Sequence, residues 1–206
     1  MTPLILTYTG KHVNPLDLKP EDIDIFDIAH ALALCNRFAG HTKRPISVAQ
    51  HSVYVSRLLE EHQPGCDYNA PGKYKVCQCG AEDFARQGLF HDASEAYLGD
   101  VTKWLKHSEA FLEYRKAESR VQKQIYKKFG CQLADCPELN YVDKLMLRFE
   151  GEQGFGNDWE RWLAKLKNYT PVTEIEKERI GAWKPWTWKA AEEAFLVRAR
   201  ELGVIV

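Results

Sequence analysis

The chain has 206 residues, with 28 Lys and Arg against 29 Asp and Glu and a net charge of −1. That length suits one domain with a substantial core, and the even charge balance argues against a nucleic-acid partner held by bulk electrostatics. No apolar run approaches membrane-spanning length and the N-terminus lacks a charged-then-apolar leader pattern, so the expected compartment is the cytoplasm.

Taken in order, the chain opens on a β-favouring run, Ile5-Leu6-Thr7-Tyr8-Thr9, ended by Gly10; it predicts a small edge strand or hairpin. Asn14-Pro15 and Lys19-Pro20 mark a turn. A helix is predicted over 23–38, with Ile25, Ile28, Ala29, Leu32 and Cys35 on its core face. His30 lies in that face and reads as a buried structural histidine. Ser47-Val48-Ala49-Gln50 has the spacing of a capping box and starts a helix to about Glu61, with His51 near its first turn. Residues 63–80 are irregular and read as a long loop or insertion.

A helix is predicted over 82–98 and closed by Gly99. Asp100 is placed to cap a short helix over 101–107. A long amphipathic helix follows over 108–129, then one from Pro137 to about Phe149 that carries Asp143 between apolar positions. A carboxylate so close to a core needs a metal or hydrogen-bond partners. Gly151 to Gly156 reads as a break, 158–166 as a Trp-rich helix and 187–202 as the last helix. The predicted fold class is all-α, with at most a short N-terminal strand or hairpin. A single domain is expected over 1–206, its motif core spanning about 25–150 and a helical extension 151–206.

The six cysteines, at 35, 66, 77, 79, 131 and 136, read as free thiols in a chain of this size without a leader. Cys66, Cys77 and Cys79 with His62 offer a small zinc set. Their spacing matches no strong zinc pattern, so a loop with spare thiols is the favoured reading.

The chemistry gathers around Phe90-His91-Asp92-Ala93-Ser94-Glu95-Ala96-Tyr97-Leu98-Gly99-Asp100. On a continuous helix, His91 and Glu95 share a face. Imidazole beside carboxylate suits a divalent ion such as Zn, Mn, Fe or Co. His51 upstream and Asp143 downstream, each from another predicted helix, complete a candidate set of four ligands with His91 and Asp92. Two imidazoles and two carboxylates hold one ion and leave positions open for water and a substrate oxygen. Glu95 and Asp100 then remain free as base or acid.

The ordered set Arg37-Phe38, Val48-Ala49-Gln50-His51-Ser52, His91-Asp92-Ala93-Ser94-Glu95, Gly99-Asp100 and Val142-Asp143-Lys144 resembles the HD-domain metal-dependent phosphohydrolases. Within them it is most similar to the 5′-deoxynucleotidase (YfbR-like) branch and its phage relatives, which include dATP triphosphohydrolases. The resemblance implies an all-α HD-domain bundle holding one divalent ion (Co, Mn, Zn, Fe or Mg) on His51, His91, Asp92 and Asp143. It implies catalytic roles for Glu95 and Asp100 and substrate contact for Arg37. Phe38 stands where these enzymes carry a Trp that senses the sugar, and Lys106 is positioned to meet a phosphate. Val101-Thr102-Lys103 follows Gly99-Asp100 where the family tends to have a Pro. The implied substrate is a deoxynucleotide, cleaved as a monophosphate to release phosphate, or alternatively as a triphosphate to release triphosphate. A hydrolase of another nucleotide and a catalytically silent binding module are the rivals; the latter is disfavoured because no ligand position is lost. The resemblance further implies a homo-oligomer, with no membrane or nucleic-acid partner. The tryptophans at 159, 162, 183, 186 and 188 read as core and subunit packing.

Overall fold

The computed structural model describes residues 4–60, 81–131, 137–165 and 170–205. Cys66, Cys77, Cys79 and His62, read as a loop with spare thiols or alternatively as a small zinc set, lie outside the described residues. The described residues form an all-α fold with one small N-terminal hairpin, as the sequence predicts. The hairpin pairs β1 (Ile5–Leu6) with β2 (His12–Val13) antiparallel, in the register Ile5 to Val13 and Leu6 to His12. The first strand is shorter than its β-favouring run because the chain turns at once: Gly10 N donates to Thr7 O at 3.0 Å.

Helix α1 (Ile25–Leu34) begins two residues later than expected, since the Asp24 side chain caps it by accepting from Phe26 N. It also ends four residues early. After Cys35 the chain is extended and bridges to the start of the next helix, with Arg37 N donating to Ile46 O at 2.8 Å and Val48 N to Cys35 O at 3.0 Å. A tight turn, Arg37–Gly40, follows, with Phe38 and Ala39 in left-handed rather than 3₁₀ geometry. His30 is structural but only half-buried: its ring stacks on Tyr8 and meets Glu192 at 3.1 Å.

Helix α2 (Val48–Glu60) is the centre of the fold. Of its residues only Arg57 and Glu60 are exposed, and α1, α3 (Ala81–Phe90), α7 (Pro137–Phe155), α9 (Glu174–Ile180) and α10 (Trp188–Glu201) all pack on it. A helix buried all round cannot be amphipathic in the usual sense; its polar groups instead find internal partners. Gln50 is fully buried and is bonded twice by the segment before α10, donating to Lys184 O at 2.8 Å and accepting from Trp186 N at 2.9 Å. Ser47 accepts from Gln50 N, so half of the expected capping box forms, while the Gln50 amide is taken by the distant segment.

The helix predicted over 82–98 is in fact two, α3 (Ala81–Phe90) and α4 (Glu95–Leu98), with His91 to Ser94 as a turn between them. Tight bonds from Ala93 N to Phe90 O and from Glu95 N to Asp92 O replace helical ones. Gln122 closes the gap, donating to Phe90 O at 2.6 Å and accepting from Ser94 N at 3.0 Å. Gly88 lets α3 lie against α2, since a Cβ there would meet Ser56 Cα at 3.2 Å and the Leu59 side chain at 2.6 Å.

Helix α5 (Lys103–Lys106) is short and has no side-chain cap, so Asp100 does not cap it. Helix α6 (Leu112–Lys128) follows a 3₁₀ turn at Glu109–Phe111. Helix α7 (Pro137–Phe155) does not break at Gly151 but runs through it. The glycine is required there by packing: a Cβ on Gly151 would lie 2.1 Å from the indole of Trp159 on α8 (Asn157–Leu163). The boundary expected near residue 150 therefore falls inside a helix. Helix α9 (Glu174–Ile180), not foreseen, starts on a complete Thr173/Glu176 capping box. Helix α10 (Trp188–Glu201) packs on α1 and α2. Of the described helices, none is long and apolar enough to cross a membrane.

Two apolar clusters result, and α2 serves both. Val48, Ala49 and Val53 join Ile28, Leu32, Phe90 and Phe195. Val55, Leu58 and Leu59 join Leu145, Met146 and Phe149.

The substitution Gly151→Ala is expected to lower unfolding free energy by about 1–3 kcal/mol through overpacking, despite Ala's roughly 1 kcal/mol helical advantage over Gly. Chemical denaturation measures it; a variant as stable as the parent would contradict this packing.

Candidate metal centre

Three structural elements bring four side chains to one point. The first turn of α2 supplies His51, the turn after α3 supplies His91 and Asp92, and α7 supplies Asp143. One potential ligand atom from each lies within 4.8 Å of all the others, so the group could hold a metal ion. The His51 and His91 Nε2 atoms are 3.2 Å apart. Asp143 Oδ1 is 3.2 Å from His51 Nε2 and 3.7 Å from His91 Nε2. Asp92 Oδ2 is 3.2 Å from His91 Nε2 and 3.7 Å from His51 Nε2. Bonds of about 2.1 Å to a shared ion place adjacent ligand atoms about 3.0–3.4 Å apart. The cluster therefore has the right size.

The tautomers make the case stronger. His91 Nδ1 faces Gly88 O at 2.8 Å, and a carbonyl can only accept. His51 Nδ1 faces both carboxylate oxygens of Glu150 at 3.1 and 3.2 Å. Both Nδ1 atoms thus carry protons, and in the neutral rings both Nε2 lone pairs point at the same small space. Two lone pairs at that distance repel unless a proton or a metal cation lies between them. The same demand appears in the acidities. Burial opposes an imidazolium at His91, but Asp92 and Asp143 outweigh it and hold the pKa well above the ordinary value. At His51 burial and Arg37 oppose the charge, and Glu150 with Asp143 still raises the pKa. Asp92 and Asp143 are held below the usual carboxylate range, against burial, by the two histidines.

Glu150 is the residue that the sequence reading missed. It is fully buried and sits 2.9 Å from Arg37 Nε while accepting from His51. Asp143 and Glu150 are seven residues apart, two turns of one helix, so they face α2 together. That spacing was a usable signal, hidden by ending α7 at Phe149. Outer carboxylates of this kind fix the ring orientation of a ligand histidine.

Arg37 is not a surface cation. It is buried, and its Nη1 reaches Asp92 Oδ2 at 3.4 Å. The next two residues, Phe38 and Ala39, have φ of 56° and 51°, left-handed values that cost non-glycine residues about 1 kcal/mol or more. Phe38 packs edge-on against Phe155 and Trp159.

A cavity of about 240 Å³ lies over the cluster, and Arg37, Phe38, Asp92, Glu95, Asp100 and Lys106 all line it. Glu95 reaches it from α4, although the continuous helix assumed for it is broken. Its carboxylate is buried, and Oε2 has no hydrogen-bond partner among the described residues. Burial, then Asp92 and Asp100, raise its pKa well above the usual range. Asp100 is raised too, by burial first and by Asp92 against the pull of Arg37. Lys106 is not a solvated lysine: its ammonium lies 2.6 Å from Glu118 and 3.5 Å from Glu95. All nine residues singled out in the sequence thus lie at or around one cavity.

Two relatives share most of this chain. It is 32% identical over 171 residues to the uncharacterized protein YfdR of Escherichia coli, covering 83% of this chain and 82% of that one. It is 30% identical over 151 residues to an uncharacterized protein of Rhodobacter capsulatus, covering 70% and 69%. No family model matches the chain.

Purified protein is expected to carry one divalent ion per chain by elemental analysis, and His91→Ala to lose it while keeping its helical circular dichroism. Glu150→Gln should weaken the ion's affinity about 10–100-fold in calorimetric titration, because Arg37 then pulls harder on Asp92. Unchanged affinity would remove Glu150 from the site.

Proposed function

This chain belongs to the family of Escherichia coli YfdR, and we propose that it is a metal-dependent phosphohydrolase of the HD type that cleaves deoxynucleotides at the 5′-phosphate. The observation that carries the reading is the pair of converging Nε2 atoms, flanked by Asp92 and Asp143, two carboxylates that also line a cavity with Glu95 and Asp100. A divalent ion on His51, His91, Asp92 and Asp143 would supply Lewis acidity and lower the pKa of water at the site.

The chain's own side chains do the rest. Arg37, fixed by Glu150, turns its guanidinium to the cavity and orients a phosphate oxygen there. Glu95 has the unpaired buried oxygen needed to take a proton from the attacking water or return one to the leaving oxygen. Burial, with Asp92 and Asp100 nearby, raises its pKa above the usual carboxylate range, so it holds a proton more readily than an ordinary carboxylate. Asp100 is the second carboxylate within reach of the same cavity. Glu118 holds Lys106 beside Glu95, where the ammonium offsets part of the carboxylates' mutual repulsion. The monophosphate is the preferred substrate by the closeness of the motifs. Triphosphate is the second reading, and Lys103 favours it. This cation lines the same cavity and forms no ion pair among the described residues.

Incubation with dAMP and dATP in the presence of Mn, Co, Zn or Mg, following phosphate and triphosphate release, tests the assignment. Phosphate from dAMP is expected; triphosphate from dATP would select the second reading, and turnover of neither would refute both. Glu95→Gln should lower kcat by about 10²–10⁴ with metal content unchanged. Activity near that of the parent would exclude Glu95 as the proton carrier.

A further inference from the structure

Beside the metal centre a second cavity, of about 490 Å³, opens between α5, α7 and α8. It shares Lys103, Trp104, His107 and Leu147 with the first, so the two adjoin. Their walls differ in kind. The first carries carboxylates and cations. The second is walled chiefly by Trp104, Leu147, Trp159 and Leu163. Apolar pockets of this size with a few polar groups at the edge are the usual form of small-molecule sites.

The aromatic wall is continuous from one cavity to the other. Phe38 lies 5.5 Å from Trp159, Trp159 lies 5.1 Å from Trp162, and Trp162 lies 4.5 Å from Trp104. Trp104 nevertheless stays 48% exposed. A large aromatic surface left open beside a polar site is a platform for another flat ring. The charges at the rim say what kind of ring. Arg148 is already engaged by Thr170 O, Pro171 O and Glu176, so it does not call for an anion. Lys103 and His107, at the junction of the two cavities, form no ion pair among the described residues and are placed to meet polar atoms there.

We propose that this second cavity receives the neutral planar ring of the substrate, the nucleobase, with Trp104 as its stacking partner and Leu147, Trp159 and Leu163 as its apolar walls. The assignment rests on the phosphohydrolase reading and deepens it. The phosphate lies over the four metal-site residues, the sugar crosses between Lys103 and His107, and the ring enters the apolar cavity. Base–aromatic stacking is sequence-tolerant, so this pocket favours a base over none more than it separates one base from another.

The test compares dAMP with 2-deoxyribose 5-phosphate, which has the same phosphate ester and no base. In the parent, kcat/KM for dAMP should exceed that for 2-deoxyribose 5-phosphate. Trp104→Ala should reduce that ratio about tenfold or more, and Trp104→Phe should restore most of it. Trp188→Ala, an exposed tryptophan on α10, should leave the ratio unchanged. Deoxyadenosine, which has no phosphate, should bind the parent in calorimetry and bind Trp104→Ala about tenfold more weakly. A folded Trp104→Ala with the parent's ratio and the parent's affinity for deoxyadenosine overturns the ring pocket and leaves the hydrolase standing. Failure of the parent to cleave either ester or dATP overturns the hydrolase, and this inference with it.

Discussion

Two imidazole nitrogens held 3.2 Å apart, each with its lone pair turned inward, form the constraint on which this structure depends. Left alone, the arrangement is unfavourable. It persists because each ring is locked from behind, His91 by a main-chain carbonyl and His51 by Glu150. The lock on His51 has its own cost, since a carboxylate with no solvent contact must be balanced. Arg37 balances it, and is itself drawn between Glu150 and Asp92. Buried ion pairs contribute little net stability once desolvation is counted. A chain of them next to two histidines is better understood as orientation than as cohesion.

Charge around the site leads to the same place. Asp92, Glu95, Asp100, Asp143 and Glu150 face Arg37 and Lys106 within one pocket region. The surplus is negative, and the protein is correspondingly reluctant to ionise every carboxylate. Glu95 and Asp100, which touch neither histidine, are raised. Asp92 and Asp143, which do, are lowered. One set of acids is thereby divided into a pair that remains anionic toward a cation and a pair that exchanges protons more readily. Separated acidities among neighbouring carboxylates are the physical basis for dividing ligand from acid–base roles.

Much of this was legible in the sequence because its signals are local. The His91-Asp92 pair, the order of His51 before it and Asp143 after it, and the Gly99-Asp100 close need no tertiary information. The all-α class and most helices follow from apolar spacing. What was not legible depends on contacts between distant segments. The break at His91 to Ser94 is stabilised by Gln122, from a helix some thirty residues on. Gly151 looks like a helix breaker in sequence and is a helix interior in fact, because the indole of Trp159 occupies the space of its missing side chain. That single misreading cut α7 short and concealed Glu150. Helix α9 is a different kind of omission: its Thr173/Glu176 capping box was readable, and a run with few apolar residues hid the rest.

The division of labour follows burial. His51, Asp143 and Glu150 stand on α2 and α7, long helices that share the core, and their positions are set by packing on several sides. The residues walling the two cavities beside the cluster stand mostly on short elements: Phe38 on a strained turn and Lys103 and Trp104 on a four-residue helix, while Trp159 on the seven-residue α8 is itself core. Short peripheral elements tolerate substitution more readily than core helices. A site built this way can keep its cation chemistry while the wall beside it is altered. Changes in that wall should therefore accumulate along Phe38 and Trp104 before they reach the histidines, because a substitution at the histidines disturbs both the core and the four-residue cluster at once.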